Sequence, residues 1–394
     1  MKALTKDLPP GANIQVWVGA WRHGASWNHA KLIAVDGRYL HTGGHNVWSD
    51  IYIMDDPVHD LSLEMEGSVG HDAHMYANGQ WDYIQNKQSS WIGQIAENIP
   101  DFIPLVAKSR VIVSEYPRGK ASEFPPAYNP SLAPTYETPP GSVPVISVGR
   151  QGAMIANDRP ADDALIAMID ASKTIIRMSQ QDIGPICIPG TKIPLPGVSW
   201  PKPVLDALAR AIWLRGVDVE IVLSNFGSRR GYTNGWTCVD VGSEIIKRIE
   251  KQFQNTLDSE LRKKVEENLR ICYIRHKKTD AYQSGEKIGN HTKFFMVDDV
   301  TSYTGSQNLY VSDLAEWGVI IDSAARTKEM MEDYWNPMWN ASYLDTDCDV
   351  QEVMDGLKID RDGEETSDGR KLEEAGVAMA ATKLPPRTEM YDKE

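Results

Sequence analysis

The chain has 394 residues, enough to bury a large core in two or three domains, and its 41% hydrophobic and 24% charged content is that of a globular protein. A net charge of −14 argues against a stable nucleic-acid partner, because such binding rests on Lys and Arg neutralising phosphates, and against docking on anionic membrane through a basic patch. No apolar run approaches the length of a transmembrane segment, and Met1–Asp7 is not followed by the apolar stretch of a signal peptide.

In chain order, residues 13–21 are apolar and β-prone, as a buried strand should be. Leu32–Val35 reads as a short strand, Asp36-Gly37 as a hairpin turn and Tyr39–Thr42 as its return. Residues 57–65 suggest a further strand with Asp60 at its start. Residues 70–86 suggest a helix packed through Met75, Trp81 and Tyr83. Residues 116–144, with two Pro-Pro pairs, read as a linker or long surface loop. A strand over 143–148 then opens the second half. It is followed by a helix over 161–172, a strand over 174–179 ending in Gln180-Gln181-Asp182, a helix over 203–215 and a strand over 217–224. A single long helix over 242–269 and a strand over 271–275 come next. Alternating strands and helices indicate an α/β fold with a sheet covered on both faces. Trp335 and Trp339 read as core or pocket wall, and the acidic segment 345–394 reads as a disordered tail.

The four cysteines (Cys187, Cys238, Cys272, Cys348) lack CxxC spacing, so no metal site is expected from them; two disulfides and free buried thiols both remain open. His71 and His74 sit at helical spacing without a third ligand.

The sequence repeats itself. His29, Lys31, Asp36, Gly43-Gly44 and Asn46 recur as His291, Lys293, Asp298, Gly305-Ser306 and Asn308, every position displaced by 262 residues. His29 and Lys31 are two apart on extended chain and share a face. Two histidines facing one another can divide a displacement at phosphorus: a neutral imidazole attacks and forms a phosphohistidine, and a protonated one delivers its proton to the leaving oxygen. Two lysines and two asparagines would hold the non-bridging oxygens and the charge of the transition state, so that no metal or other cofactor is required. Each histidine then needs a carboxylate at Nδ1, and Asp60 and Glu316, 31 and 25 residues past the histidine of their own half, are the candidates. Asp36 and Asp298 follow their strands at a turn and suit backbone ordering better than substrate contact.

The pattern His-x-Lys-(x)4-Asp-(x)6-Gly-Gly/Ser-x-Asn, present twice, resembles the phospholipase D superfamily, and within it the secreted actinomycete-type bacterial enzymes. Ser26-Trp27-Asn28-His29, Gly43-Gly44-x-Asn46-x-Trp48, Pro57-Val58-x-Asp60, Ser179-Gln180-Gln181-Asp182 and Gly305-Ser306-x-Asn308-Leu309-Tyr310 carry the likeness, which runs from about residue 13 to about 344. It implies two lobes related by a pseudo-twofold, each a mixed sheet flanked by helices: 1–115, joined through 116–144 to 145–344. It also implies His29 as nucleophile, His291 as acid, and Asp60 and Glu316 as orienting carboxylates, although relatives tend to carry Asp at the latter position. The implied reaction is hydrolysis or transphosphatidylation of a phospholipid such as phosphatidylcholine, by a monomer at a membrane or micelle surface. Trp27, Trp48, Gln180, Gln181, Asp182 and Tyr310 are pocket candidates, aromatic faces suiting a trimethylammonium group.

Only 28 residues precede the first motif, against roughly 140 ahead of the second in its half. A shortened first lobe is therefore expected, with sheet edges and apolar surface left open. Secretion is what the resemblance implies, the signal peptide being lost with a missing N-terminal segment. The competing functions are a nuclease with the same site, an inactive truncated relic and a phospholipid synthase, the last disfavoured by the lack of membrane spans.

Overall fold

The computed structural model describes residues 6–7, 9, 14–23, 26–46, 52–89, 111–113, 122, 124–132, 138–152, 159–188, 190–195, 198–228, 235–254, 256–309, 314–361, 363 and 365–367. Three short strands open the chain: β1 (Trp17–Gly19), β2 (Arg22–His23) and β3 (Ser26–Trp27). An antiparallel meander follows in β4 (Leu32–Val35), β5 (Tyr39–Gly43) and β6 (Ser62–Glu66), and then helix α1 (Val69–Ser89). Strand β7 (Val111–Val113) returns to pair with β1.

The second half is built on β8 (Val145–Gln151), α2 (Pro160–Ala171), β9 (Ile175–Gln180), α3 (Lys202–Arg210), β10 (Asp218–Leu223), α4 (Cys238–Gln252), α5 (Asp258–Asn268) and β11 (Leu269–Tyr273). The meander β12 (Lys293–Val297), β13 (Thr301–Gly305), β14 (Ala315–Asp322) follows, then α6 (Ala324–Met330), α7 (Asn336–Ser342) and α8 (Val350–Gly356). Its seven strands form one mixed sheet in the order β11-β10-β9-β12-β13-β14-β8. The pairs β9–β10 and β10–β11 are parallel and need helical crossovers, which α3 and the α4–α5 pair supply. Local chemistry sets the helix starts. Pro160 stands in the first turn of α2 with Asp162 and Asp163, and α4 opens on a reciprocal Thr237–Asp240 capping box, a cap of the kind worth ~1 kcal/mol.

The repeat is visible in the backbone. β4–β5 and β12–β13 are both hairpins closed by an Asp in the left-handed region, Asp36 and Asp298, each at φ 54°. Their burial differs. Along β12, Phe295 and Val297 join the large core formed with α2–α5, while Phe294 and Met296 pack on the other face with Trp335 and Met338. Along β4, Leu32 and Ala34 turn toward a core containing Leu40, Val69, Ala73, Tyr76, Trp317 and Val319, which draws on both halves. The alternate residues Ile33 and Val35 are 59% and 45% exposed.

Several expectations need correcting. The helix expected over 242–269 is two helices, because Phe253 and Leu257 adopt extended backbone and Leu257 bridges to Thr366. Helix α1 packs through Val69, Ala73, Tyr76, Gln80 and Ile84, a stripe with spacings of three and four; Trp81 and Tyr83 only border it, and Met75 lies off the stripe, 40% exposed. The segment from Asp345 is not a disordered tail in its described part: α8 carries Val353 and Met354 into the large core with Cys348 and Ile359, and Asp347 pairs with the half-buried Arg275. Positions 368–394 lie outside the described residues. The described part of the Pro-rich segment reaches α1, where Tyr128 stacks on His74 and Asn78 bonds both backbone groups of Tyr128. All four cysteines are free and buried.

Candidate active site

Each histidine is fixed by its own backbone before its ring is considered. The side-chain oxygens of Asn28 and Asn290 accept from the peptide nitrogens of Ala30 (3.1 Å) and Thr292 (3.2 Å), so the same Asx turn precedes β4 and β12. Asn290 is wholly buried, its amide donating to Ser179 Oγ and to the Gln180 and Val222 carbonyls, which anchors the turn on the ends of β9 and β10. The histidine nitrogens then cross between halves: His29 N donates to the Ala315 carbonyl (2.9 Å), and His291 N to the His59 carbonyl (2.7 Å). Ala315 and His59 are the residues immediately before Glu316 and Asp60.

That crossing decides the carboxylate partners. His29 Nδ1 lies 3.0 Å from Glu316 Oε2, and His291 Nδ1 lies 2.9 Å from Asp60 Oδ2. The sequence assigned each carboxylate to its own half, and the structure exchanges them. A backbone pairing that joins His29 to the strand start of β14, and His291 to the chain entering β6, brings the opposite carboxylate to each ring. The extra methylene of Glu316 is accommodated, since Ser306 Oγ donates to the same Oε2 (2.5 Å) and holds it on His29. In the other half the matching position is Gly44, where a Cβ would strike Asp60 Oδ1 and approach the His291 carbonyl to 2.7 Å. The Gly/Ser alternation in the repeat therefore follows the length of the carboxylate.

The lysines follow the same symmetry: Lys31 and Lys293 each return Nζ to the carbonyl of the histidine two residues before. Lys293 also stands 2.9 Å from His291 Nδ1. Burial pushes Lys31 down to about 8 and Lys293 down to about 7, against the pull of Asp60 and Glu316. Burial lowers His29 and brings His291 down to about 3, partly offset by the facing carboxylates. For Asp60 and Glu316 burial acts upward, but the histidine hydrogen bonds and neighbouring cations outweigh it and hold both below the usual carboxylate range. His29 feels Lys293, and His291 feels Lys31, so the two motifs form one electrostatic site. With Nδ1 of each ring turned to a carboxylate, Nε2 is left for chemistry; that of His291 is buried with no hydrogen-bond partner among the described residues.

Asn46 and Asn308 sit on equivalent loops beyond β5 and β13, three residues past Gly43 and Gly305. Both glycines admit close backbone, Gly43 against Ser62 and Gly305 against Gly318. Asp298 stays away from the rings: its carboxylate collects the peptide nitrogens of Lys173, Thr174 and Ile175 and the Thr174 hydroxyl, tying the β12–β13 turn to the start of β9. Asp36 occupies the corresponding exposed turn, at φ 54°. Gln180 is fully buried and donates to the Phe294 carbonyl, a sheet contact; Gln181 is equally buried. Asp182 is near enough to Lys293 to act on its charge. Trp27 is 42% exposed on β3, beside His29, whereas Trp21 and Trp317 are core residues. Trp48 and Tyr310 lie outside the described residues.

Two contributors escaped the sequence. Tyr52 donates to Asp60 Oδ2 (2.6 Å) and lies 3.0 Å from His291 Nδ1. Arg150 stands opposite Glu316 across the β8–β14 ladder. Neither belongs to the repeat, and only strand register exposes Arg150. Among the described residues no three His, Cys, Asp or Glu side chains are arranged to hold a metal ion, and no helix is long and apolar enough to cross a membrane.

A family model described as "Cardiolipin synthase, PLD-like domain" matches residues 165–339, which contain the second motif. A protein named "Phospholipase D" from Streptomyces antibioticus is 26% identical over 351 residues, covering 80% of this chain and 59% of its own length. The chain thus spans less than two thirds of that relative. Among solved structures, Nuc, a phospholipase D family member from Salmonella typhimurium, is similar at 21% identity and a TM-score of 0.29, over 51% of this chain and 97% of its own. A phosphatidylserine synthase from Haemophilus influenzae is similar at 12% identity and a TM-score of 0.45, over 91% of this chain and 70% of its own.

Proposed function

Starting from the chain's membership of the phospholipase D superfamily, we propose that it is a phosphodiesterase that hydrolyses glycerophospholipids such as phosphatidylcholine to phosphatidate. The observation that carries this reading is the crossed pair of histidine–carboxylate contacts, His29–Glu316 and His291–Asp60, with the half-buried Lys31 and the buried Lys293 acting on both rings. His29, the more accessible ring at 10% against 2% side-chain exposure, attacks phosphorus through Nε2. The bond from phosphorus to the head-group oxygen breaks, and His291, protonated once the anionic phosphodiester offsets the burial and the Lys293 charge that lower it in the empty site, gives that oxygen its proton. His291 then takes a proton from water, the hydroxide displaces His29 from phosphorus, and phosphatidate leaves; an alcohol in place of water gives the transphosphatidylated lipid. The lysines and Asn46 and Asn308 hold the non-bridging oxygens, so the reaction calls for no cofactor.

The similarity to a protein named phospholipase D and the net charge of −14 support a lipid over a nucleic acid. Choline release from phosphatidylcholine vesicles by the purified protein, run beside cleavage of single- and double-stranded DNA, tests the choice. Choline release without DNA cleavage is expected. Cleavage of DNA alone would select the nuclease, and inactivity toward both would leave a chain without this chemistry.

A further inference from the structure

Behind Glu316 lies a chain of charges, the buried Arg150 and the partly buried Asp162, that has no counterpart behind Asp60 among the described residues. Arg150, 6% exposed on β8, is the ladder partner of Glu316. Its Nε donates to the Leu314 carbonyl (3.0 Å), its Nη1 to both oxygens of Asp162 (3.0 Å each), and its Nη2 lies 3.8 Å from Glu316 Oε1. Asp162, in the first turn of α2, also accepts from Gln307, between Ser306 and Asn308. In the other half Asp60 is met instead by the Tyr52 hydroxyl, the Leu61 peptide nitrogen and His291.

We propose that Arg150, set by Asp162, is a positioning residue that keeps the His29–Glu316 dyad in its singly protonated form, with the proton on Nδ1 and Nε2 free to attack. This rests on the two-histidine reading above. A carboxylate facing only an imidazole draws a second proton onto the pair, and imidazolium cannot act as a nucleophile. A guanidinium on the far oxygen shares the carboxylate's charge and weakens that draw. Asp162 tempers the guanidinium in turn, so the two residues act on the dyad with opposite signs. The other groups facing it are Lys31 ahead of β4, Lys293 at the start of β12, Tyr76 on α1 and Tyr303 on β13, and they are common to every variant below.

The test is the pH profile of kcat/KM on bis(p-nitrophenyl) phosphate for Arg150→Gln, Arg150→Lys and Asp162→Asn, with the His29 ring titrated by NMR in the same proteins. For Arg150→Gln both the acidic limb and the His29 midpoint are expected to rise by about one pH unit. For Arg150→Lys the rise is smaller, and for Asp162→Asn both move down. A merely structural role would lower activity in each without moving the midpoint in opposite directions. A His29 midpoint unmoved in folded Arg150→Gln, or moved the same way in both, overturns the proposal. If Arg150→Gln does not fold, Asp162→Asn decides alone: a lower midpoint supports the proposal, and an unchanged or higher one contradicts it. A midpoint that shifts as expected while activity does not follow would uphold the role of Arg150 and count against His29 as the nucleophile.

Discussion

His29 and Glu316 stand 287 residues apart in the sequence and 3.0 Å apart in the structure, and the reciprocal pair His291 and Asp60 is separated by 231 residues and 2.9 Å. Neither half of the chain holds a complete dyad. The two halves must fold against one another before either histidine acquires its carboxylate, so assembly of the interface and of the site are one event. The shared core of Leu40, Val69, Tyr76, Trp317 and Val319 supplies the apolar burial that fixes it.

Gly44 is the most sensitive small residue in this arrangement. In Gly44→Ala the new Cβ meets Asp60 Oδ1 and the His291 carbonyl, and both belong to the His291–Asp60 pair. Steady-state kinetics should show kcat reduced about 100-fold, the scale of an ångström-sized misplacement, with thermal stability much less affected. Ser306→Ala removes a hydrogen bond without adding bulk and should cost less.

In the proposed mechanism Lys293 makes substrate binding depend on pH. Its ammonium is held down to about 7 by burial, so its charge is present below that value and is lost as pH rises through it. KM for a phosphodiester should therefore climb above about pH 7, and Lys293→Met should show a high KM at every pH without that climb. A KM that rises equally in the variant would assign the dependence elsewhere.

Asp298 contributes to stability rather than to chemistry. Its carboxylate lies below the ordinary range: burial acts upward, but the peptide nitrogens of Thr174, Ile175 and Lys173 and the Thr174 hydroxyl outweigh it. A depressed folded-state value means that the contribution is complete above the unfolded carboxylate's pKa and is lost as pH falls through the folded one. Asp298→Ala should lose about 1–2 kcal/mol by urea unfolding at pH 7, and the gap to the parent protein should close toward pH 3.

The thiols give an independent check on the fold. All four cysteines are free and buried, and burial raises each of them. A disulfide-exchange reagent should find almost no thiol in the native protein and four after denaturation. Two or fewer after denaturation without reductant would mean that disulfides had formed.

Much of the site is legible in the sequence because the repeat marks it: four residue types at fixed offsets single out the histidines, the lysines and the two turn aspartates. Their elements are legible too, since a strand–turn–strand unit needs only local chemistry. The carboxylate pairing was not, because offsets within one half carry no information about which half faces which. Asp60 was assigned by proximity in sequence, whereas the His59–Asn290 bridge sends it to His291. Arg150 leaves no local trace for the same reason, its role being set by its place opposite Glu316 in the ladder. The helical segment 350–356 was hidden by acidic composition, which outweighs Val353 and Met354 in any average yet does not prevent those two side chains from reaching the core.

The crossed pairing is tested most directly by ring-nitrogen NMR of His29 and His291 in Glu316→Gln and Asp60→Asn. Loss of Glu316 removes the group that favours a proton on His29, so the His29 midpoint should fall by about one pH unit while the His291 ring signals stay in place. Loss of Asp60 should alter the Nδ1 signal of His291 and leave His29 unchanged. Perturbation of His291 by Glu316→Gln, or of His29 by Asp60→Asn, with the other ring untouched, would contradict the exchange of carboxylates between the halves.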